Sequence, residues 1–160
     1  MKRAVVFYSL SGNTKEAAEF ISKETGADLF QIELVKSMPD SMPKQMMLGG
    51  IQSVFGMKPK IKGVPENISD YDEIILGTPI WAGKAASPVN TFIRKYGVEN
   101  KVTAVFTFSG GGDNDKCILK LSQLLKNMKN QIALADHNSN MADKNSERLK
   151  KFVTSILDEN

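Results

Sequence analysis

Hydrophobic residues along the chain follow two alternating rhythms. Residues 3–8 (Arg3-Ala-Val-Val-Phe-Tyr8) form a short, continuously apolar and β-rich run, as a strand covered on both faces requires. Ser9-Leu10-Ser11-Gly12-Asn13-Thr14 then supplies turn and cap residues. From Asn13 onward Ala17, Phe20 and Ile21 recur at helical spacing, and Gly26 stands where a helix C-terminal glycine belongs. The first unit therefore reads as strand, loop, helix.

Residues 29–34 alternate Phe30, Ile32 and Leu34 against Gln31 and Glu33, which predicts a strand with one wetter face at a sheet edge. Residues 72–78 and 102–108 are more continuously apolar and belong in the sheet centre, while 131–135 is a fifth strand nearer an edge. Between them, Ser87 reads as an N-cap, with Pro88 in the first turn, Val89, Phe92, Ile93 and Tyr96 on the apolar face, and Gly97 at the stop. Ile118, Leu121, Leu124, Leu125 and Met128 form another helical face, and Leu149, Phe152, Val153, Ile156 and Leu157 the last.

Strand–helix alternation through 160 residues predicts one α/β domain: a five-stranded parallel sheet between two helical layers, with strand order 2-1-3-4-5. The irregular part is residues 36–68, a long connection with Pro39, Pro43, Pro59 and Pro65. Met47, Ile51, Val54 and Phe55 stand at helical spacing inside it, so it reads as a loop wrapped around one amphipathic helix.

Composition narrows the class. With 41% hydrophobic and 24% charged residues the chain can bury a core, which excludes disorder. A net charge of +3, with acids and bases interspersed, gives no reason to expect nucleic acid. A single cysteine, Cys117, offers neither a disulfide nor a metal cluster and suits a reducing, cytoplasmic compartment. The apolar stretch 4–8 is too short for a signal-peptide core, and no run is long enough for a membrane span.

In an open parallel sheet ligands bind beyond the carboxyl ends of the strands, where the strand order reverses. After the first strand, residues 9–14 bring hydroxyls, a glycine and the N–H groups of a helix start, the requirements of a phosphate cradle or simply of a capped helix. The loop is neither GxxxxGK[ST] nor GxGxxG, so of the phosphate ligands a monophosphate fits it better, beside the plain reading of a capping turn. Gly77-Thr78-Pro79-Ile80-Trp81-Ala82-Gly83 sets the only tryptophan at the same edge as a candidate ring stacker. Ser109-Gly110-Gly111-Gly112-Asp113 exposes backbone N–H and C=O groups after the fourth strand. Together the three loops suit a mononucleotide carrying a flat ring.

The first of these loops resembles the T/S-x-T/S-G-x-T phosphate loop of flavodoxins, and residues 71–81 with Pro88 and Phe92 resemble their third-strand region. The resemblance runs through essentially the whole chain and implies a flavodoxin-like three-layer α/β/α sandwich binding flavin mononucleotide (FMN) non-covalently. On that resemblance Ser9, Ser11, Gly12, Asn13 and Thr14 hold the phosphate; Thr78, Pro79, Ile80, Trp81, Ala82 and Gly83 flank the isoalloxazine and present a carbonyl to N5; and Ser109, Gly110, Gly111, Gly112 and Asp113 line the pyrimidine edge. Asp113 also reads as a cap for the next helix. It implies too an electron carrier working through the flavin semiquinone and hydroquinone, as a monomer or weak homodimer that meets other redox proteins.

Two departures from that pattern matter. The fourth-strand loop lacks the aromatic that covers the second flavin face in many flavodoxins, which keeps an FMN-dependent NAD(P)H or quinone reductase as the enzyme alternative. The chain is also mildly basic where flavodoxins are often acidic. The excess is local: residues 36–63 hold Lys36, Lys44, Lys58, Lys60 and Lys62 against Asp40 alone, with five of the eight methionines. That segment reads as a docking surface for an acidic redox partner, as a flexible lid that covers the open flavin face, or as a solvated face over a methionine-filled core contact. Lys84, beside Trp81, is a candidate for tuning the flavin or an ordinary surface lysine. His137 reads as a surface histidine, and Cys117 as an inert core-side thiol. A signalling or structural domain that kept the fold without flavin is the third reading.

Overall fold

The computed structural model describes residues 1–158, apart from the side chains of Ser53 and Val54. Five parallel strands form its centre: β1 (Arg3–Phe7), β2 (Asp28–Gln31), β5 (Glu73–Trp81), β7 (Val102–Ser109) and β8 (Asn130–Ala135), in the order β2-β1-β5-β7-β8. This is the 2-1-3-4-5 order expected of the five main strands. The strands with continuous apolar runs occupy the middle, and Ile74, Ile75, Leu76, Val105 and Phe106 have no solvent exposure. Both faces of the sheet are covered, so the middle of each strand is apolar, while the buried hydroxyls of Thr78 and Thr107 towards the strand ends are hydrogen-bonded.

Helices α1 (Asn13–Thr25) and α5 (Asn145–Asp158) cover one face. Ala17, Ala18, Ile21, Phe152, Val153 and Ile156 pack there against Val5, Phe7, Ile75 and Phe106. Helices α3 (Ser87–Tyr96) and α4 (Asp115–Leu124) cover the other, where Val89, Phe92, Ile93, Cys117 and Leu121 meet Val6, Ile74, Leu76 and Val105. Gly26 and Gly97 end α1 and α3 in left-handed conformations at φ 68° and 60°, as their positions in the sequence predicted.

Four local expectations change. The alternating stretch 29–34 is not one strand: it breaks at Ile32, and β3 (Glu33–Leu34) pairs antiparallel with β4 (Ile61–Lys62). Gly63 enforces that crossing, because a Cβ there would lie 2.3 Å from the Gln31 carbonyl oxygen. Secondly, Ser87 is the first helical residue and not the cap; its hydroxyl donates to Gln52 Oε1 at 2.8 Å. Thirdly, β5 runs through Trp81 and turns back into β6 (Lys84–Ala85), so the expected loop 77–83 is a hairpin. Its two turn residues, Ala82 and Gly83, have φ of 49° and 69°, the signs a type I′ turn demands.

The fourth change concerns the long connection. Its helix, α2 (Met42–Val54), exists, but Met47, Ile51 and Phe55 face outward, with 64%, 43% and 76% of their surface exposed. Val54, the other residue of that expected face, has its side chain outside the described residues. The side turned inward carries Gln45, Leu48, Gly49 and Gln52. Gly49 decides the orientation, since its backbone lies against the Trp81 indole so closely that a Cβ would stand 3.0–3.2 Å from three ring atoms.

Candidate functional site

The carboxyl ends of β1, β5, β7 and β8 all open at one edge of the sheet, and a cavity of about 740 Å³ lies there. Its volume falls in the range of pockets that enclose small-molecule ligands. Leu10, Ser11 and Asn13 line it from the first loop, Pro79, Ile80, Trp81 and Ala82 from the hairpin, and Phe108, Ser109 and Gly110 from the glycine-rich loop. Three sequence-distant loops are thus brought together as expected.

The first loop is built to leave donors free. Gly12 occupies the N-cap of α1 at φ 99°, where an L-side chain is strained, and supplies no side-chain acceptor for the first turn. Glu16 N–H makes the first helical bond to the Gly12 carbonyl, at 3.1 Å. The preceding N–H groups of Asn13, Thr14 and Lys15 have no acceptor within the helix. Ser9 Oγ instead accepts from Gly12 N–H at 3.1 Å and shapes the turn. Thr14 is buried at the helix start. Backbone donors at the positive end of a helix fit a phosphate without any basic side chain.

Trp81 is held from two sides. Gly49 lies on its indole, and Tyr8 meets it edge-on with centroids 5.5 Å apart and planes at 88°. Burial pushes the Tyr8 hydroxyl up to about 12, so this neighbour is neutral. Thr78 lies beneath the cavity, fully buried: its Oγ1 donates to the Pro79 carbonyl and accepts from Ala86 N–H at 3.0 Å. Thr78 and Gly83 do not line the cavity; they set the strand and the turn that carry Trp81 and Ala82 into it.

The glycine-rich loop divides likewise. Ser109 and Gly110 line the cavity, and nothing lies within 4 Å of a Cβ placed on Gly110 or Gly111. Gly112, at φ 71°, and Asp113 stand away from it. Asp113 Oδ1 accepts from Asp115 N–H at 3.0 Å, but the N-cap of α4 is Asn114, so Asp113 stands one residue ahead of the capping position expected of it. Ser109 Oγ donates to the Asp113 carbonyl, closing the loop on itself.

Two further walls lie outside the three loops: one comes from the long connection, which the sequence offered only as a cover without naming residues, and the other was not read from the sequence. Met42, Met46 and Gly50 of α2 line the cavity, and so do Asp136, His137 and Asn138 after β8. Asn13 Nδ2 donates to Asp136 Oδ1 at 3.0 Å, and His137 Nε2 lies 3.4 Å from Glu16 Oε2, which ties the β8 loop to the start of α1. The position of 136–138 just past a strand end was the available signal. Lys84 lines a different cavity, on the Gln52 side of α2. Cys117 is buried, and burial pushes its thiol up to about 12, so it carries no thiolate near neutral pH. Among the described residues no group of three His, Cys, Asp or Glu side chains is placed to hold a metal, and no helix is long and apolar enough to cross a membrane.

The chain is 31% identical to an NAD(P)H dehydrogenase (quinone) of Archaeoglobus fulgidus, over 76% of its own length and 68% of the relative's. Among solved structures it superposes with a TM-score of 0.75 on a Bacteroides eggerthii protein assigned as a flavoprotein, at 26% identity over 94% of this chain and 97% of that one. A Lactobacillus acidophilus flavoprotein in complex with FMN superposes at 0.66, with 24% identity over 92% and 97% of the two chains. The family model for flavodoxin matches residues 2–156, and with the sheet order and the site loops in place the chain belongs to the flavodoxin family.

Proposed function

We propose that this chain is an electron-transfer protein that holds FMN non-covalently in the cavity at the carboxyl end of its sheet. FMN is the cofactor, and when bound it supplies the redox chemistry, accepting and releasing one or two electrons. The observation that carries the reading is the start of α1, whose first backbone N–H groups have no acceptor within the helix, beside a cavity that Trp81 lines.

The residues divide the work. The N–H groups of the first turn of α1, with the Ser11 hydroxyl, would hold the phosphate. Trp81 lies along the flat ring, and Met42 and Met46 exclude water from the same space. The Ala82–Gly83 turn would offer a peptide carbonyl as acceptor for a proton at N5, while Ser109 and the 110–111 backbone would serve the pyrimidine edge. Ser9, Thr14, Thr78, Gly83, Gly112 and Asp113 support these groups by fixing backbone. None acts as a general acid or nucleophile, in keeping with electron transfer.

The surface beside the cavity suits protein partners. Met46, Met47 and Phe55 are 69%, 64% and 76% exposed, and Lys36, Lys44, Lys58 and Lys60 stand in the same segment. Adaptable apolar side chains ringed by lysines match an acidic redox protein, whose approach the lysines would steer. Reversing Lys44 and Lys58 to Glu should slow electron transfer from such a protein and flatten its dependence on salt.

A second reading, an FMN-dependent NAD(P)H or quinone reductase, is favoured by the name of the Archaeoglobus relative. One anaerobic experiment separates the two. A carrier bleaches with dithionite in two separable one-electron stages and ignores NAD(P)H; a reductase is bleached by NAD(P)H alone and turns over with quinone. Failure to bind FMN would defeat both.

A further inference from the structure

We propose that the cavity on the Gln52 side of α2 is a second binding site, specific for the phosphate of a small organic molecule. This cavity, of about 760 Å³, is distinct from the flavin-sized one. Lys58, Lys84, Arg94 and Lys120 line it, and no residue of its lining is acidic. They come from four separate segments, the end of the long connection, β6, α3 and α4, so tertiary folding alone gathers them.

The exposed like charges of Lys58, Arg94 and Lys120 around one hollow repel each other, a cost that a bound anion removes. A surface that had only to stay solvated would intersperse acids, as the chain outside residues 36–63 does. Among the described residues Lys58, Arg94 and Lys120 take part in no ion pair. Lys58, Arg94 and Lys120 are exposed, which places their charges at the mouth.

The interior is polar at one point and apolar elsewhere. Gln52 and Ser87 are 92% and 99% buried, being only 8% and 1% exposed, and the Ser87 hydroxyl donates to Gln52 Oε1. That bond leaves the Gln52 amide N–H groups without an acceptor among the described residues, an unmet donor in a buried position. Leu121, Leu124 and Met57 supply apolar wall. A phosphate carries nearly two negative charges at neutral pH, against one for a carboxylate, and so answers the exposed charges of Lys58, Arg94 and Lys120 better. Arg94 adds a guanidinium fork suited to oxyanions. The apolar walls call for an organic body behind the phosphate, and the Gln52 amide for an acceptor on that body.

The inference stands whether or not the electron-transfer reading holds, because no residue of the flavin cavity enters it. It is tested by calorimetric titration of the full chain saturated with FMN, which keeps the phosphate cradle at α1 filled. The probes are ADP, adenosine and inorganic pyrophosphate. ADP should bind one site, at least about tenfold more tightly than adenosine or pyrophosphate, and added salt should weaken it. Arg94→Gln with Lys120→Gln should weaken ADP at least about tenfold without moving the melting temperature, since both side chains are exposed. Removing the same charge elsewhere, with Lys126→Gln and Lys150→Gln, should leave ADP binding intact. Binding that survives the first pair, or no saturation by about 5 mM ADP, overturns the proposal. Pyrophosphate binding as tightly as ADP overturns its organic half.

Discussion

Gly49 and Gly50 are neighbours in the interior of α2, and replacing each with alanine separates helix propensity from the contact with Trp81. In a helix interior the exchange gains about 1 kcal/mol from propensity alone. At Gly50 nothing lies within 4 Å of the new methyl, so that gain is realised in full. At Gly49 the methyl would stand 3.0, 3.1 and 3.2 Å from Trp81 Cδ2, Cε3 and Cε2, closer than a methyl and a ring carbon settle. The indole must shift, and Tyr8 edge-on beside it limits how far. Overpacking of this kind costs about 1–3 kcal/mol, enough to cancel the propensity gain or reverse it.

Urea unfolding of the flavin-free chain is the assay. Gly50→Ala should raise the unfolding free energy by about 1 kcal/mol, or roughly 2–4 °C in melting temperature. Gly49→Ala should fall about 1–3 kcal/mol below Gly50→Ala and should also weaken FMN binding, because the ring that lines the cavity has moved. Equal stabilisation by both substitutions would refute the claim that α2 rests its backbone on the indole.

Trp81→Ala should weaken FMN by about 1–3 kcal/mol, read by recovery of flavin fluorescence, and Trp81→Phe should retain part of the loss. Unchanged affinity would remove Trp81 from the ring's neighbours. Gly77→Ala should destabilise by at least about 3 kcal/mol or prevent folding, because a Cβ there would lie 2.2–2.9 Å from three atoms of the fully buried Phe106 ring; a normal urea midpoint would contradict that packing. Cys117, pushed up from 9.0 to about 12, should react with a thiol reagent at pH 8 only at the rate of unfolding. The same raised thiol, with Tyr8 raised from 10.0 to about 12, binds protons in the folded chain that the unfolded chain has lost. Stability from these groups is therefore intact below about pH 9 and declines as pH rises toward 12, which alkaline unfolding curves of wild type and Cys117→Ala would resolve.

Much of the fold was legible because its signals are local. The continuous runs at 3–8, 72–78 and 102–108 could only be doubly covered strands, and Gly26 and Gly97 marked helix ends through their own backbone freedom. The three loops converge because parallel strands all point their carboxyl ends one way. What failed depended on partners distant in the chain. Ser87 looks like a cap until Gln52, 35 residues earlier, is seen to take its hydroxyl. The β5–β6 hairpin was hidden by Ala82, a non-glycine at positive φ that no local rule favours.

Strand order and the places of the helices were therefore legible in the sequence itself, since periodicity and glycine positions act over a few residues. Only the tertiary structure decided which face of α2 turns inward, that Met42, Met46 and His137 join the cavity wall, and that Lys84 meets Arg94 and Lys120 around a second hollow. The physical reason is the same in each case. Hydrophobic periodicity ranks the faces of a helix by transfer free energy, whereas the packing of α2 was settled by how closely a bare backbone at Gly49 can approach an indole, a steric fact that exists only once both are in place.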